Sequence, residues 1–216
     1  MLKIRQFAFN FFGESTFVAY DSDSLEAIVI DPGMFDAAER EFFDRYIEEN
    51  KLKITQIVNT HLHLDHCFGD NYVRDRYSVK IAASPADAFL GATLEEQTRK
   101  YIVDGEFDSR SVEIDNHLHE GDIVPVGQYQ FNVIEVPGHS PGGIVLYCPE
   151  YSCAFVGDSI FYGSIGRTDL PGGDAKTLIE NIRTKILTLP DKTQLFPGHD
   201  RMTTVGREKT SNPYLV

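Results

Sequence analysis

One hexapeptide constrains this chain more than any other feature: His61-Leu62-His63-Leu64-Asp65-His66, one residue after the strand-like segment 54–59. With this composition, such a string would arise by chance in roughly one sequence in two thousand. In an extended segment alternate side chains share a face, so His61 and His63 point the same way. A turn into a following helix then carries Asp65 and His66 to a neighbouring position. One loop can therefore serve two divalent ions lying close together, and imidazole and carboxylate ligands suit zinc, iron or manganese. Such a loop needs a sheet behind it to hold it still.

The surrounding sequence supplies that sheet. Residues 2–9, 14–20 and 25–31 are rich in Phe, Val, Ile and Tyr and are broken by turn residues, so they read as strands. Phe35, Ala38, Phe42, Phe43, Tyr46 and Ile47 recur at helical spacing, which predicts an amphipathic helix over 35–50. A strand over 54–59, a helix from about Phe68, a strand over 79–83 and a helix opened by Pro85 follow. Residues 91–120 are polar with weak periodicity and read as a surface insertion able to act as a lid over a cleft. Strands are expected at 122–126, 129–136, 144–148, 153–157 and 193–196, and a helix over 174–189 with Asp174 as N-cap. Strand runs with interspersed helices, twice over, suit two mixed sheets packed face to face with helices outside, in one domain spanning 1–216.

Three further polar residues sit where a strand runs into a glycine: His139 after Pro137-Gly138, Asp158 after Val156-Gly157, and His199 after Pro197-Gly198. That placement puts a metal-ligating side chain at a sheet edge with room around it. His117 and His119 have no partner cluster and read as exposed turn residues. Cys67 reads as a small packing residue, and Cys148 and Cys153 as core thiols on adjacent strands. Three cysteines are too few and too odd in number for a secreted disulfide framework, so a cytoplasmic protein is expected. Twenty Lys and Arg against 33 Asp and Glu leave a net charge of −13, which repels phosphate backbones and anionic lipid heads. Neither nucleic acid nor membrane is an expected partner, and no apolar run approaches the length of a membrane span.

Taken in order, Ile30-Asp31-Pro32-Gly33, Thr60 to His66, Gly138-His139-Ser140-Pro141-Gly142, Gly157-Asp158-Ser159, Gly166-Arg167-Thr168-Asp169 and Pro197-Gly198-His199 resemble the motifs of the metallo-β-lactamase fold. The resemblance is to its short glyoxalase-II-like hydrolase branch and runs from residue 2 to 215. It implies a four-layer αβ/βα sandwich with two metal ions at one edge, zinc foremost and iron or manganese as the other candidates. Carried over by position, His61, His63 and His139 would hold one ion, and Asp65, His66 and His199 the other. Asp158 would bridge them, Asp31 would orient a ligand histidine, and Arg167 would meet the substrate. The implied activity is hydrolysis of a thioester, such as a hydroxyacyl-glutathione, with Asp65 and Asp158 in the catalytic centre. The chain ends at Val216 without the C-terminal helical domain of glyoxalase II. It also has Asp169 where a tyrosine is common and Asp200-Arg201 where an aromatic residue is common. Persulfide dioxygenases of the same fold, using one iron on the positions of His61, His139 and Asp158, are the alternative, with a lactonase behind them.

Overall fold

The computed structural model describes residues 1–101, 108 and 110–216. β1 (Leu2–Phe9), β2 (Glu14–Asp21), β3 (Glu26–Ile30), β4 (Lys53–Val58), β5 (Lys80–Ala83) and β6 (Asn116–His117) form one six-stranded sheet in that order. The pairs from β1 to β3 are antiparallel and those from β3 to β6 are parallel. β7 (Ile123–Val126), β8 (Tyr129–Glu135), β9 (Ile144–Cys148) and β10 (Cys153–Gly157) belong to the second sheet. A small hairpin, β11 (Ile160–Phe161) and β12 (Ser164–Ile165), precedes β13 (Gln194–Pro197) and β14 (Thr203–Thr204), which complete it in the order β14-β13-β10-β9-β8-β7. β10 and β13 run parallel in this sheet and its other pairs antiparallel.

Three apolar layers separate four layers of structure. Between the sheets, Phe17, Ile28, Ile30 and Val58 of the first meet Phe131, Leu146, Phe155 and Phe196 of the second. On the outer face of the first sheet, Val18, Val29 and Ile57 pack on α1 (Ala37–Glu49) and α2 (Asp70–Tyr77) through Phe43, Ile47 and Val73. On the outer face of the second, Val145, Ala154 and Val156 pack on α5 (Ala175–Asn181) and α6 (Val205–Ser211) through Leu178 and Val205. The expected αβ/βα sandwich of two mixed sheets is therefore what the chain forms. β2 and β3 are buried on both faces, which is why their sequences read as near-continuous apolar runs.

Two stretches differ from the sequence expectation. Residues 91–120 were expected to be aperiodic, but α3 (Ala88–Ala92) and α4 (Leu94–Tyr101) are helical, Leu94 and Val112 join the core, and β6 adds a strand. Among its described side chains α4 buries Leu94 and Thr98, one turn apart, too short a repeat for periodicity to register; the Thr98 hydroxyl donates to the Leu94 carbonyl at 2.6 Å. Residues 102–107 and 109 of that segment lie outside the described residues. The helix expected over 174–189 starts as expected, with Asp174 accepting from the Thr177 N–H at 2.6 Å, but passes after Asn181 into a π-helical turn, Ile182–Ile186. The wider turn keeps Ile182, Ile186 and Leu187 buried together. Among the described residues no helix is long and apolar enough to cross a membrane. Cys148 and Cys153 are register partners across β9 and β10, buried and reduced, and His117 and His119 are exposed.

Candidate metal centre

Strand direction gathers the polar residues. β3 and β4 are parallel and end at Asp31 and at Asn59-Thr60-His61; β8, β10 and β13 share a direction and lead to His139, Asp158 and His199. After β4 the chain stays extended through His63 and closes in a single 3-10 turn, Leu64–His66. The expected reversal of direction therefore occurs between His63 and Asp65. Two glycines make the room. Gly157 has φ +48°, and a Cβ there would lie 2.3 Å from Thr60 Oγ1. A Cβ on Gly198 would lie 2.4 Å from Asp158 Oδ1 and 2.5 Å from His66 Cε1.

All seven expected metal-ligating residues meet at this edge. Ligand atoms of His61, His63 and His139 lie within 4.8 Å of one another, and so do those of Asp65, His66 and His199. Asp158 sits between the triads: Oδ1 is 3.5 Å from His66 Nε2, and Oδ2 is 3.6 Å from His139 Nε2 and 3.7 Å from His199 Nε2. Asp31, His61 and His66 also form a compact triad. Asp31 is already engaged, however: its oxygens accept from Thr60 N and Thr60 Oγ1, each at 2.6 Å, and from His66 Nδ1 at 3.1 Å. It therefore acts as an anchor for the loop and for one imidazole. Asp31→Ala strands the Thr60 N–H and hydroxyl in the interior and should lower unfolding stability by about 3 kcal/mol, read from the denaturant midpoint.

The surrounding hydrogen bonds fix the tautomers. His139 Nδ1 faces the Arg167 carbonyl at 2.7 Å, and a carbonyl only accepts, so this nitrogen carries the proton. Thr60 gives its hydroxyl proton to Asp31, so at 3.2 Å it accepts from His61 Nδ1. The Nε2 lone pairs of His61 and His139 then face each other at 3.3 Å, and His63 Nδ1 lies 2.8 Å from His139 Nε2. His66 Nε2 and Asp158 Oδ1 are buried with no hydrogen-bond partner among the described residues. The facing Nε2 lone pairs of His61 and His139 and the unpartnered Asp158 Oδ1 would be compensated by cations, and this donor set fits two divalent ions.

Electrostatics divide the triads. Burial, reinforced by His66 and His63, holds His61 neutral, and burial with His139 and His66 pushes His63 down to about 3. For His66 burial acts downward too, but the Asp65 and Asp158 carboxylates outweigh it and raise its pKa well above the usual histidine value. His199 is raised similarly, by Asp65 and Asp158 against burial. Asp158 is held well below the usual carboxylate range, the charges of His66, His199 and His139 overcoming its burial.

The cluster forms the floor of a cavity of about 710 Å³, walled by the turn after β1, α3, α4, Phe161 of β11 and the loops carrying Arg167 and His199. Arg167 lines this cavity, and its guanidinium donates to both oxygens of Asp169 at 2.7 Å. Sequence reasoning missed three supports. Buried Asp87 accepts from Leu62 N, Ser140 Oγ and Gly142 N, which ties the two histidine loops together; burial nonetheless raises its pKa. Glu14, fully buried, lies 3.9 Å from His66 Nδ1 on the side away from the cavity. The Asn10 amide donates to the Asp65 carbonyl at 3.0 Å. The one available signal was Glu14, a carboxylate set into an apolar strand. Cys67 is buried and its thiol pKa raised by that burial, as a packing residue requires.

Comparison with known proteins agrees with this geometry. The family model described as the metallo-beta-lactamase superfamily matches residues 10–199. Hydroxyacylglutathione hydrolase GloC of Haemophilus influenzae is 38% identical over 200 residues, covering 89% of each chain. The mitochondrial persulfide dioxygenase ETHE1 of Mus musculus is 32% identical over 205 residues, 93% of this chain and 71% of that one. The crystal structure of TTHA1623 in a di-iron-bound form superposes with a TM-score of 0.85 at 29% identity, over 98% of this chain and 100% of that one. With a family model spanning most of its length and a relative this similar across nearly all of it, the chain belongs to the metallo-beta-lactamase superfamily.

Proposed function

We propose that this protein is a metal-dependent thioester hydrolase, in which His61, His63 and His139 hold one divalent ion and Asp65, His66 and His199 a second, with Asp158 between them. The observation that carries the reading is the set of unpartnered nitrogen and carboxylate lone pairs converging on the floor of an open cavity. Two ions bound there would supply a water of near-neutral pKa as nucleophile and a Lewis acid for a carbonyl oxygen. The chain's own residues do the rest. Asp31 and the Arg167 carbonyl hold the imidazoles of His66 and His139 in the tautomers that turn Nε2 inward. Asp158 and Asp65 concentrate negative charge where the cations go. A thiol leaves with a pKa near 8.5, so a thioester needs no strong general acid from the protein. Arg167 faces the substrate, and α3 and α4 cover one side of the site. The GloC relative makes a hydroxyacyl-glutathione the first substrate to test, with zinc, iron and manganese as the candidate metals.

Metal analysis of protein purified without added metal, alongside hydrolysis of S-D-lactoylglutathione, tests the reading. About two ions per chain with turnover supports it. About one iron per chain, no hydrolysis, and oxygen uptake with glutathione persulfide would transfer the protein to the dioxygenase reading, which the ETHE1 relative favours. The electrostatics add a pH prediction. The Asp65 and Asp158 carboxylates raise the pKa of His66 and His199, so protons compete with an ion there up to higher pH than at His61 and His63, whose pKa values burial lowers. Affinity for the Asp65–His66–His199 ion should therefore rise with pH through the neutral range. Its binding should also release more protons than binding at the other triad, measured by calorimetry in buffers of different ionisation enthalpy. Equal proton release for the two equivalents contradicts this division.

A further inference from the structure

We propose that the substrate carries an apolar arm of about phenyl size beside the scissile bond, and that Phe12 and Phe89 bind it at the mouth of the metal cavity. The inference deepens the hydrolase reading and rests on it for the identity of the bond that is cut. Apart from the metal-facing groups, Phe12, Leu64, Phe89, Phe161, Leu170 and Pro171 give the cavity an apolar wall, while Glu96, Lys100, Arg167 and Asp200 are its charged members. Phe12 and Phe89 come from different elements, and each is 44% exposed. Two large rings left open to water on the wall of one concave site are what an apolar ligand group would cover.

The turn that carries Phe12 is held in place before anything binds. Phe12 lies in the turn between β1 and β2, and that turn is tied down through Asn10, which has φ 51°. The Asn10 side chain donates to the Gly33 carbonyl at 2.9 Å and to the Asp65 carbonyl at 3.0 Å, and accepts from the Phe12 N–H at 3.0 Å. The Phe12 ring packs on Phe11 at 4.4 Å between centroids, and Phe11 packs edge-on against Phe35 at 5.4 Å. The hairpin turn is thus anchored to the backbone of the Asp65 loop itself. Phe89 projects from α3 against the chain at Gly172, its Cζ only 3.8 Å from where a Cβ on that glycine would stand. A ring on a turn anchored in this way loses little freedom when it closes on a ligand, so its apolar surface translates into affinity.

The test uses the metal-loaded enzyme and two matched thioester series. In one the acyl group is acetyl or phenylacetyl on a common thiol; in the other the thiol is methyl or benzyl on a common acid. In one series the benzyl-bearing member should be favoured by about tenfold or more in kcat/KM, which also identifies the side of the bond that bears the arm. Phe12→Ala and Phe89→Ala should each cut that preference by about tenfold, mainly through KM. Phe42→Ala, an exposed phenylalanine of α1 outside the cavity, should leave the preference intact. Calorimetric titration with S-benzyl and S-methyl mercaptoacetate, thioethers that cannot be hydrolysed, reads the same contact without turnover. Thioester turnover with no preference in either series or in the titration would overturn the apolar arm and leave the hydrolase standing. No turnover, with benzyl binding that depends on Phe12 and Phe89, would overturn the hydrolase and leave the arm. A preference that survives both alanine variants would overturn the role of the two rings.

Discussion

Asp158→Asn is expected to reduce metal content from about two ions to about one and turnover by about a thousandfold, with the fold unchanged by circular dichroism. The side chain approaches both triads, His66 on one oxygen and His139 and His199 on the other, at 3.5–3.7 Å. Asparagine preserves its shape and removes its charge. It also turns an amide N–H toward at least one Nε2, supplying the donor those lone pairs lack and so competing with the cation. The size of the effect follows from losing the anionic group nearest both cations, a contribution of about 4 kcal/mol to the barrier. Mass-spectrometric metal analysis and thioester hydrolysis read the two consequences separately. Full metal content with full activity would show that the carboxylate is not shared between two ions.

Phe155→Ala should cost about 3–5 kcal/mol of unfolding free energy, the largest stability loss expected from one side chain of this fold. Phe155 is fully buried in β10, in the layer between the sheets, with the rings of Phe17, Phe131 and Phe196 at 5.0, 5.7 and 5.3 Å. Phe17 comes from the first sheet and the other two from the second, so the ring joins the two halves of the molecule. The rings around the cavity left by alanine are held by strands of both sheets, so it collapses only in part. A chemical-denaturation midpoint measures the loss, and Phe155→Leu, which keeps most of the volume, should recover more than half of it. A loss below about 1 kcal/mol in the alanine variant would mean that the layer between the sheets repacks freely. β10 ends at Gly157, directly before Asp158, so metal affinity should fall together with stability.

Much of the proposed metal site was legible because its chemistry is local. His61 to His66 lie in one loop, and the other three ligand-type residues each follow a strand and a glycine, a pattern readable without a partner. The strands were legible for the same reason: β2 and β3, buried on both faces, keep their apolar character over their whole length. Periodicity failed where the buried stripe was one turn long, at Leu94 and Thr98 in α4, and where the helix after Asn181 widened to keep Ile186 and Leu187 inside.

The supports behind the site stayed hidden because their partners are remote in sequence. Asp87 reaches Gly142, 55 residues away, and Asn10 reaches the Asp65 carbonyl, also 55 away. Nothing beside Asp87 or Asn10 in the chain announces either bond. The sequence by itself determined which groups are available to hold metal and which strand ends carry them, because ligand type and strand patterning are properties of neighbouring residues. Tertiary structure alone decided which nitrogen of each histidine faces inward, how the two triads differ in charge, and which phenylalanines stay open at the cavity mouth. Those features depend on the distance between groups far apart along the chain, and distance sets both hydrogen bonding and electrostatic interaction.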